Sequence, residues 1–214
     1  MPVVSEMLNL STELHLKWNQ PDQSALDPHS HDEHGDVMFR SKRMLQLGIN
    51  YRWSNIVRDG RPIEVEESVK RAYDVGADGI RAGDRAPDAP FLVDAKDKEQ
   101  GTRRLFELMT GANLHSILVF GGPSGVVGDL PKYPGVARII VVLPANSDAV
   151  PSLANADDDV KIVVDSQGHA YAGYQVAEKG MYVVVRPDGF IGAYATDIEE
   201  LRAFFRLFLD PNGN

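Results

Sequence analysis

The sequence predicts an α/β domain built on a mixed sheet, and three observations carry that prediction. Short, continuous apolar runs recur at Ser116–Phe120, Val136–Leu143 and Val160–Val164, which is the pattern of strands buried on both faces. A hairpin reads out of Met181–Val185, the turn Arg186-Pro187-Asp188-Gly189, and Phe190–Tyr194. An amphipathic helix follows, with Ile198, Leu201, Phe205, Phe208 and Leu209 on one face.

The elements can be justified in chain order. Val3, Met7, Leu10 and Leu14 fall at helical spacing with Trp18 one turn on, and Pro2 suits a first helical turn. Residues 19–36 are polar, rich in Pro, Asp and His, and without periodicity, so they read as an exposed loop. Residues 44–57 are apolar and aromatic and read as extended, whereas 58–82 give only weak signals, at Ile63, Val65, Val69 and Tyr73. From Gly83 the stretch GDRAPDAPFLV holds two prolines that forbid regular helix. Thr102–Met109 is ambiguous between strand and helix. The run ending at Phe120 is stopped by Gly121-Gly122-Pro123, as expected of a central strand. Pro187 and Gly189 stand where a type I turn wants them. Thr196-Asp197-Ile198-Glu199 reads as a capping box, and Pro211 and Gly213 end the last helix. A central strand, a parallel neighbour, a hairpin and a packing C-terminal helix are the parts of a thioredoxin-like fold. The expectation is such a fold over about residues 83–210, preceded by a helix and extended or loop segments.

Composition narrows the function classes. The chain has 214 residues, 43% of them hydrophobic, enough for one domain with extensions or two small ones. With 22 basic and 31 acidic residues the net charge is −9, which argues against nucleic acid or an anionic membrane as partner. The N-terminal stretch has no basic region and no unbroken apolar run, and the longest apolar runs are too short to span a bilayer. A soluble, cytoplasmic protein is expected. There are no cysteines, so disulfides, thiolate metal sites and CxxC chemistry are excluded. Where a thioredoxin carries its redox motif, after the central strand, this sequence reads Gly121-Gly122-Pro123-Ser124. A serine hydroxyl neither ionises near neutral pH nor forms a stable S–S bond.

Other constellations are weak. The Gly-rich loop 121–128 matches neither GxGxxG nor a Gly-Lys-Ser/Thr phosphate motif. His29, His31 and His34 with Asp27, Asp32, Glu33 and Asp36 form a metal-like cluster, but on a loop with no framing element. Ser116, His169 and Asp165 make a hydrolase set on paper, without a GxSxG elbow. No catalytic, cofactor-binding or metal-binding residue is assigned.

Two stretches take the reading further. Leu45-Gln46-Leu47-Gly48-Ile49-Asn50-Tyr51-Arg52-Trp53-Ser54 resembles the LGxxYxxS segment of class A flavoprotein monooxygenases, and Ala82-Gly83-Asp84-Arg85-Ala86-Pro87-Asp88-Ala89-Pro90 resembles their GDRAP motif. Arg104–Leu108, the strand Ile117–Phe120 and the hairpin Val185–Gly192 follow in matching order, and residues 2–14 are similar to the preceding helix of the family. The family includes phenol hydroxylases and polyketide or rifampicin-type aromatic hydroxylases, which use FAD and NAD(P)H to insert oxygen into phenolic rings. The resemblance implies a C-terminal accessory domain of such an enzyme, supporting its catalytic domains or dimerisation and inactive by itself. Residues 1–82 are then the remnant of a linker and substrate-domain tail, and 83–214 the thioredoxin-like domain. The family's FAD fingerprints, a GxGxxG after a first strand among them, are not in this sequence, so no cofactor is expected on this chain alone. The implied partners are an FAD-binding catalytic domain, in cis or as a separate chain, and a second copy. Tyr51, Arg52, Trp53, Ser54, Gly83, Asp84, Arg85 and Pro87 are the candidate interdomain residues, with an acidic partner expected for Arg85. The alternative is a free-standing thioredoxin-like binding or structural domain without redox activity.

Overall fold

The computed structural model describes residues 12, 49–62, 79–97, 99, 101–111, 113–121, 130–145, 147, 160–176 and 180–209. The described elements run β1 (Arg58–Asp59), β2 (Leu92–Asp94), β3 (Thr102–Arg103), α1 (Leu105–Met109), β4 (His115–Phe120), β5 (Ala137–Pro144), β6 (Val160–Asp165), α2 (His169–Tyr174), β7 (Met181–Val185), β8 (Ile191–Ala195) and α3 (Ile198–Leu209). Of the expected N-terminal helix only Thr12 is described, and it is helical; the loops 19–36 and 122–128 lie outside the described residues. The ambiguous stretch 102–109 is both things in turn, two residues of strand and then one short helix.

The strands form one sheet in the order β1-β8-β7-β4-β5-β6-β2-β3. β4, β5 and β6 run parallel. β7 is antiparallel to β4, and β8 to β7. A parallel pair flanked by an antiparallel hairpin, with a helix returning from the hairpin, is the thioredoxin-like arrangement that the apolar runs predict. The described residues on both sides of position 82 share this sheet, because β1 pairs parallel with β8 through Arg58–Ala193 and Asp59–Tyr194.

The continuous apolar runs divide by the two-residue period of a strand. Leu118 and Phe120 of β4 join one core with Ile140, Val142 and Val163, covered by α1, α2 and the segment 82–92. Ile117 and Val119 join the opposite core with Ile139, Val141 and Ile162, covered by α3. Both faces are dry, so neither face needs alternating polar residues.

The hairpin turn is as predicted. Gly189 N–H donates to the Arg186 carbonyl at 2.9 Å, and Gly189 takes φ +81°. Arg186 N–H donates to the Phe190 carbonyl at 2.8 Å, which sets one bulged residue at the strand entrance. The last helix differs from expectation in two details. Its cap lies one residue later: Asp197 Oδ1 accepts from Glu200 N–H at 2.8 Å, and the Glu200 carboxylate reaches back to Thr196 N–H at 2.7 Å. Its buried stripe is Leu201, Phe204 and Phe205, while Phe208 and Leu209 are exposed. The 3.6-residue turn places Phe204 one turn from Leu201. A Cβ on Gly192 of β8 would stand 2.7 Å from the Phe204 ring, so glycine there lets helix and strand close up.

Two outcomes follow from this packing. Phe204→Ala should lower stability by about 3–5 kcal/mol, read as a drop in urea midpoint at constant m-value. The second concerns His115, whose ring is packed near Phe204, Phe205 and Phe208. Burial lowers its pKa below the usual 6.5, the nearby Arg186 charge pushes the same way, and a hydrogen bond to the Val136 backbone and the Asp188 charge oppose. The fold therefore holds the neutral ring, and the unfolded chain takes up the proton first. Stability should fall as pH drops from about 6.5 through the lowered value and level off beneath it. His115→Leu should remove that component of the pH profile in urea titrations.

Candidate functional site

The segment 79–90 crosses the end of the β7–β8 hairpin as an extended strap. Its prolines keep it from coiling, so its backbone donors and acceptors are free to bond sideways. Gly83 N–H donates to Ile191 O at 2.7 Å, Ile191 N–H to Asp84 O at 2.8 Å, and Ala86 N–H to Gly189 O at 2.9 Å. On its other side Tyr51 N–H donates to Gly83 O at 2.7 Å. The strap is thus sandwiched between β8 and residues 50–54.

Gly83 makes that sandwich possible. It takes φ +94°, and a Cβ there would lie 2.4 Å from Arg52 N and 2.6 Å from Arg52 Cα. Both contacts are with backbone, which cannot swing away. Next to it, Asp84 closes the joint. Arg52 Nε donates to Asp84 Oδ1 and its NH2 to Oδ2, both at 2.6 Å, a bidentate fork. Arg81 N–H adds a bond to Oδ2 at 2.8 Å, and Arg52 also donates to Gly79 O at 3.1 Å. The Arg52 side chain is 3% exposed and that of Asp84 12%, so the pair is screened little by water.

A second clamp lies alongside. Asp59 accepts two bonds from the Arg61 guanidinium, one from Arg61 N–H and one from Ala82 N–H, and Arg61 donates to Ile80 O. The Arg61 guanidinium stands 3.5 Å over the Tyr194 ring. Burial pushes the phenols of Tyr194 and Tyr174 upward, so both stay protonated and neither serves as a base. A third contact fastens the strap to α1: Asp88 accepts from Arg104 Nε and from Phe106 N–H.

The predicted interdomain residues therefore come together, but in unequal roles. Tyr51 meets Phe190 edge-on at 4.8 Å and Trp53 at 6.2 Å, and Trp53 is 45% exposed, with Ile56 three residues on at 37%. Ser54 turns the chain, its N–H donating to Tyr51 O. Pro87 is half-buried next to Gly173 of α2. Among the described residues Arg85 meets an aromatic ring rather than a carboxylate: it is exposed and stands 5.1 Å over Phe190. Sequence reading missed Asp59, Arg61 and Asp88 as clamp residues: Asp59 and Arg61 are near neighbours, but what they fasten, Ile80, Ala82 and Tyr194, lies far along the chain, as Arg104 does from Asp88, and leaves no local period.

The arrangement limits the chemistry. Gly83-Asp84 does not fit a flavin, since the glycine is pressed on backbone and the carboxylate is fully engaged by Arg52 and Arg81. Ser116 and Asp165 lie at opposite ends of the parallel strands, so the hydrolase set is not assembled. Asp165 instead caps α2, accepting from His169, Ala170 and Tyr171 N–H. Among the described residues no three His, Cys, Asp or Glu side chains stand together as a metal site, and the His29–His34 loop lies outside them. No described helix is long and apolar enough to cross a membrane.

The clamp can be tested directly. Gly83→Ala should cost about 2–4 kcal/mol through the left-handed backbone and the overlap with Arg52. Arg52→Met or Asp84→Asn alone should cost about 3–5 kcal/mol by leaving a buried charge unpaired, while the double substitution costs less than their sum. Urea denaturation of the four chains reads both outcomes, and strict additivity would refute the coupling.

Comparison with known proteins came out as follows. No curated protein matches the chain. Among solved structures it is similar to the proposed thiol:disulfide interchange protein DsbE from Chlorobium tepidum, at 18% identity and TM-score 0.47 over 60% of this chain and 98% of that one. It is similar also to the thioredoxin domain of a thiol-disulfide oxidoreductase from Bacteroides vulgatus, at 13% identity and TM-score 0.43 over 61% and 99%. Residues 152–213 match the family described as phenol hydroxylase, C-terminal dimerisation domain, and with the motifs at 45–54, 82–90 and 185–192 the chain is similar to the C-terminal region of the class A flavoprotein aromatic hydroxylases.

Proposed function

We propose that this chain acts as the C-terminal accessory domain of an FAD-dependent, NAD(P)H-using aromatic ring hydroxylase. It supports the catalytic domains or their dimerisation and runs no oxidation alone. The observation that carries the reading is the Arg52–Asp84 clamp with Gly83. It holds residues 50–54 rigidly on the hairpin while Trp53 and Ile56 stay exposed, a rigid aromatic anchor of the sort that dominates protein interfaces. The name of the matching family supports dimerisation as well. FAD and the nicotinamide belong, in this reading, to the partner half, whether joined in cis or separate. The absence of cysteine removes thiol chemistry as a competing activity.

A second reading is a free-standing thioredoxin-like binding or structural domain. It is favoured by the strap's closing on the chain's own β8, with its backbone bonds completed internally.

The test is a FAD titration of the purified chain, sedimentation at micromolar concentration, and titration with the flavin-binding part of a phenol hydroxylase followed by tryptophan fluorescence. The expected result is no flavin bound, a dimer, and association with the catalytic part that Trp53→Ala weakens at least about ten-fold. Stoichiometric flavin on the chain alone would overturn the accessory role. A monomer indifferent to the catalytic part would favour the second reading.

A further inference from the structure

A cleft of about 310 Å³ opens at the amino end of β4, and it shares no residue with the Arg52–Asp84 clamp. Its floor is the cross-strand pair Ser116 and Val185, both buried in the sheet. Leu118 and Phe120, two and four residues on from Ser116, enter the core beneath α1, and Val185 belongs to the same core. The two-residue period of β4 therefore turns the Ser116 side chain to the α1 face. One wall is the end of α1, with Phe106 and Met109. Arg138 of β5 braces it, donating to Leu108 O at 3.1 Å and to Thr110 O at 2.7 Å. The other wall is the hairpin turn at Pro187, locked by the Gly189-to-Arg186 hydrogen bond. Floor and walls are built before any ligand arrives, and little ordering cost remains for binding.

Ser116 breaks the apolar run of the central strand. It is 2% exposed, and among the described residues its hydroxyl has no hydrogen-bond partner. Nor is that oxygen sealed in the core, since it opens on the floor of the cleft. A buried hydroxyl that bonds nothing costs free energy until a partner reaches it. The walls around it are apolar: Phe106, Met109, Leu114 and Pro187, with Phe106 39% exposed. An aromatic ring and a thioether favour a flat ring as guest. The one charged residue at the rim, Arg186, packs its stem beside Gly192 on the α3 face and donates from NH2 to Asp188 Oδ2 at 2.5 Å. An ion would thus enter the cleft without a counter-charge, at the cost of its hydration. A wholly apolar ring would leave the Ser116 hydroxyl unmatched. The volume is at the small end of ligand sites, room for a single ring and one substituent.

We propose that this cleft binds a small neutral aromatic molecule with one hydrogen-bonding substituent, its ring against Phe106, Met109 and Pro187 and its polar group on the Ser116 hydroxyl. The site is independent of the accessory role above and survives or fails separately from it.

The experiment is an amide-shift titration of the isotope-labelled full chain with three probes of one shape: benzamide, benzoate and toluene. Saturable benzamide shifts are expected at residues 106–116 and 185–189, with a Kd of about 1 mM. Benzoate should bind at least about ten-fold more weakly, because its charge finds no partner there. Ser116→Ala removes only the hydroxyl, and should shift the benzamide-to-toluene affinity ratio about five-fold towards toluene. Phe106→Ala, at an exposed position, should weaken benzamide and toluene alike by about three-fold. The proposal is overturned by benzamide shifts that do not saturate below about 10 mM or that centre elsewhere. Benzoate binding as tightly as benzamide, or an unchanged benzamide-to-toluene ratio in a natively folded Ser116→Ala chain, overturns it too. Should that variant lose the native amide spectrum, the location of the shifts and the benzamide-to-benzoate ranking, on the unaltered chain and on Phe106→Ala, decide it by the same criteria.

Discussion

The Asp84 carboxylate gathers donors from two segments that the chain brings together only in the fold: the Arg52 fork and the Arg81 amide. Taking a carboxylate and a guanidinium out of water is costly unless nearly all their bonding capacity is used, and here most of it is. That requirement fixes where the strap lies, how close residues 50–54 come to it, and which residue stands at position 83. A side chain at Gly83 would lift Arg52 away from Asp84 and leave both charges buried without each other. The second clamp, Asp59 with Arg61, repeats the device on the same edge of the sheet and ties β1 to β8.

Behind the strap the sheet supplies rigidity. Its central strands are apolar on both faces, so each strand is gripped by a core above and a core below. The place after β4 that houses thiol chemistry in thioredoxins begins here at Gly121. Its N–H donates to the Tyr171 hydroxyl at 2.8 Å, and that hydroxyl donates to Val142 O at 2.9 Å. A phenol thus stitches the ends of β4 and β5. The scaffold carries no thiol of its own, and Trp53 and Ile56 are exposed on its surface.

Much of the fold was legible because its signals are local. The apolar runs became β4, β5 and β6, the Pro-Asp-Gly turn became the hairpin turn, and the terminal apolar periodicity became α3. The details that slipped were those in which local rules compete. A Thr and an Asp both precede α3 as possible caps, and the Asp197 side chain is the one that reaches the Glu200 amide. Phe208 and Leu209 continue the helical period, yet exposure at the helix end depends on how far the sheet extends beneath it, which no periodicity records. The resemblance of 45–54 and 82–90 marked the right residues for the clamp. It did not say that Arg52, rather than Arg85, takes the carboxylate.

What the sequence by itself determined was composition-level and period-level: an α/β class, a parallel core with a hairpin, and a chain without thiol chemistry, because strand and helix periods and the absence of an element can be read residue by residue. What only the tertiary structure decided was pairing across distance. Arg52 meets Asp84 thirty-two positions on, Asp88 meets Arg104, and a cleft forms between α1 and a turn that lies far beyond it in the chain. Such pairs are chosen by the shared burial of charges and by the closeness that a single glycine permits, and both exist only once the strands have been stacked.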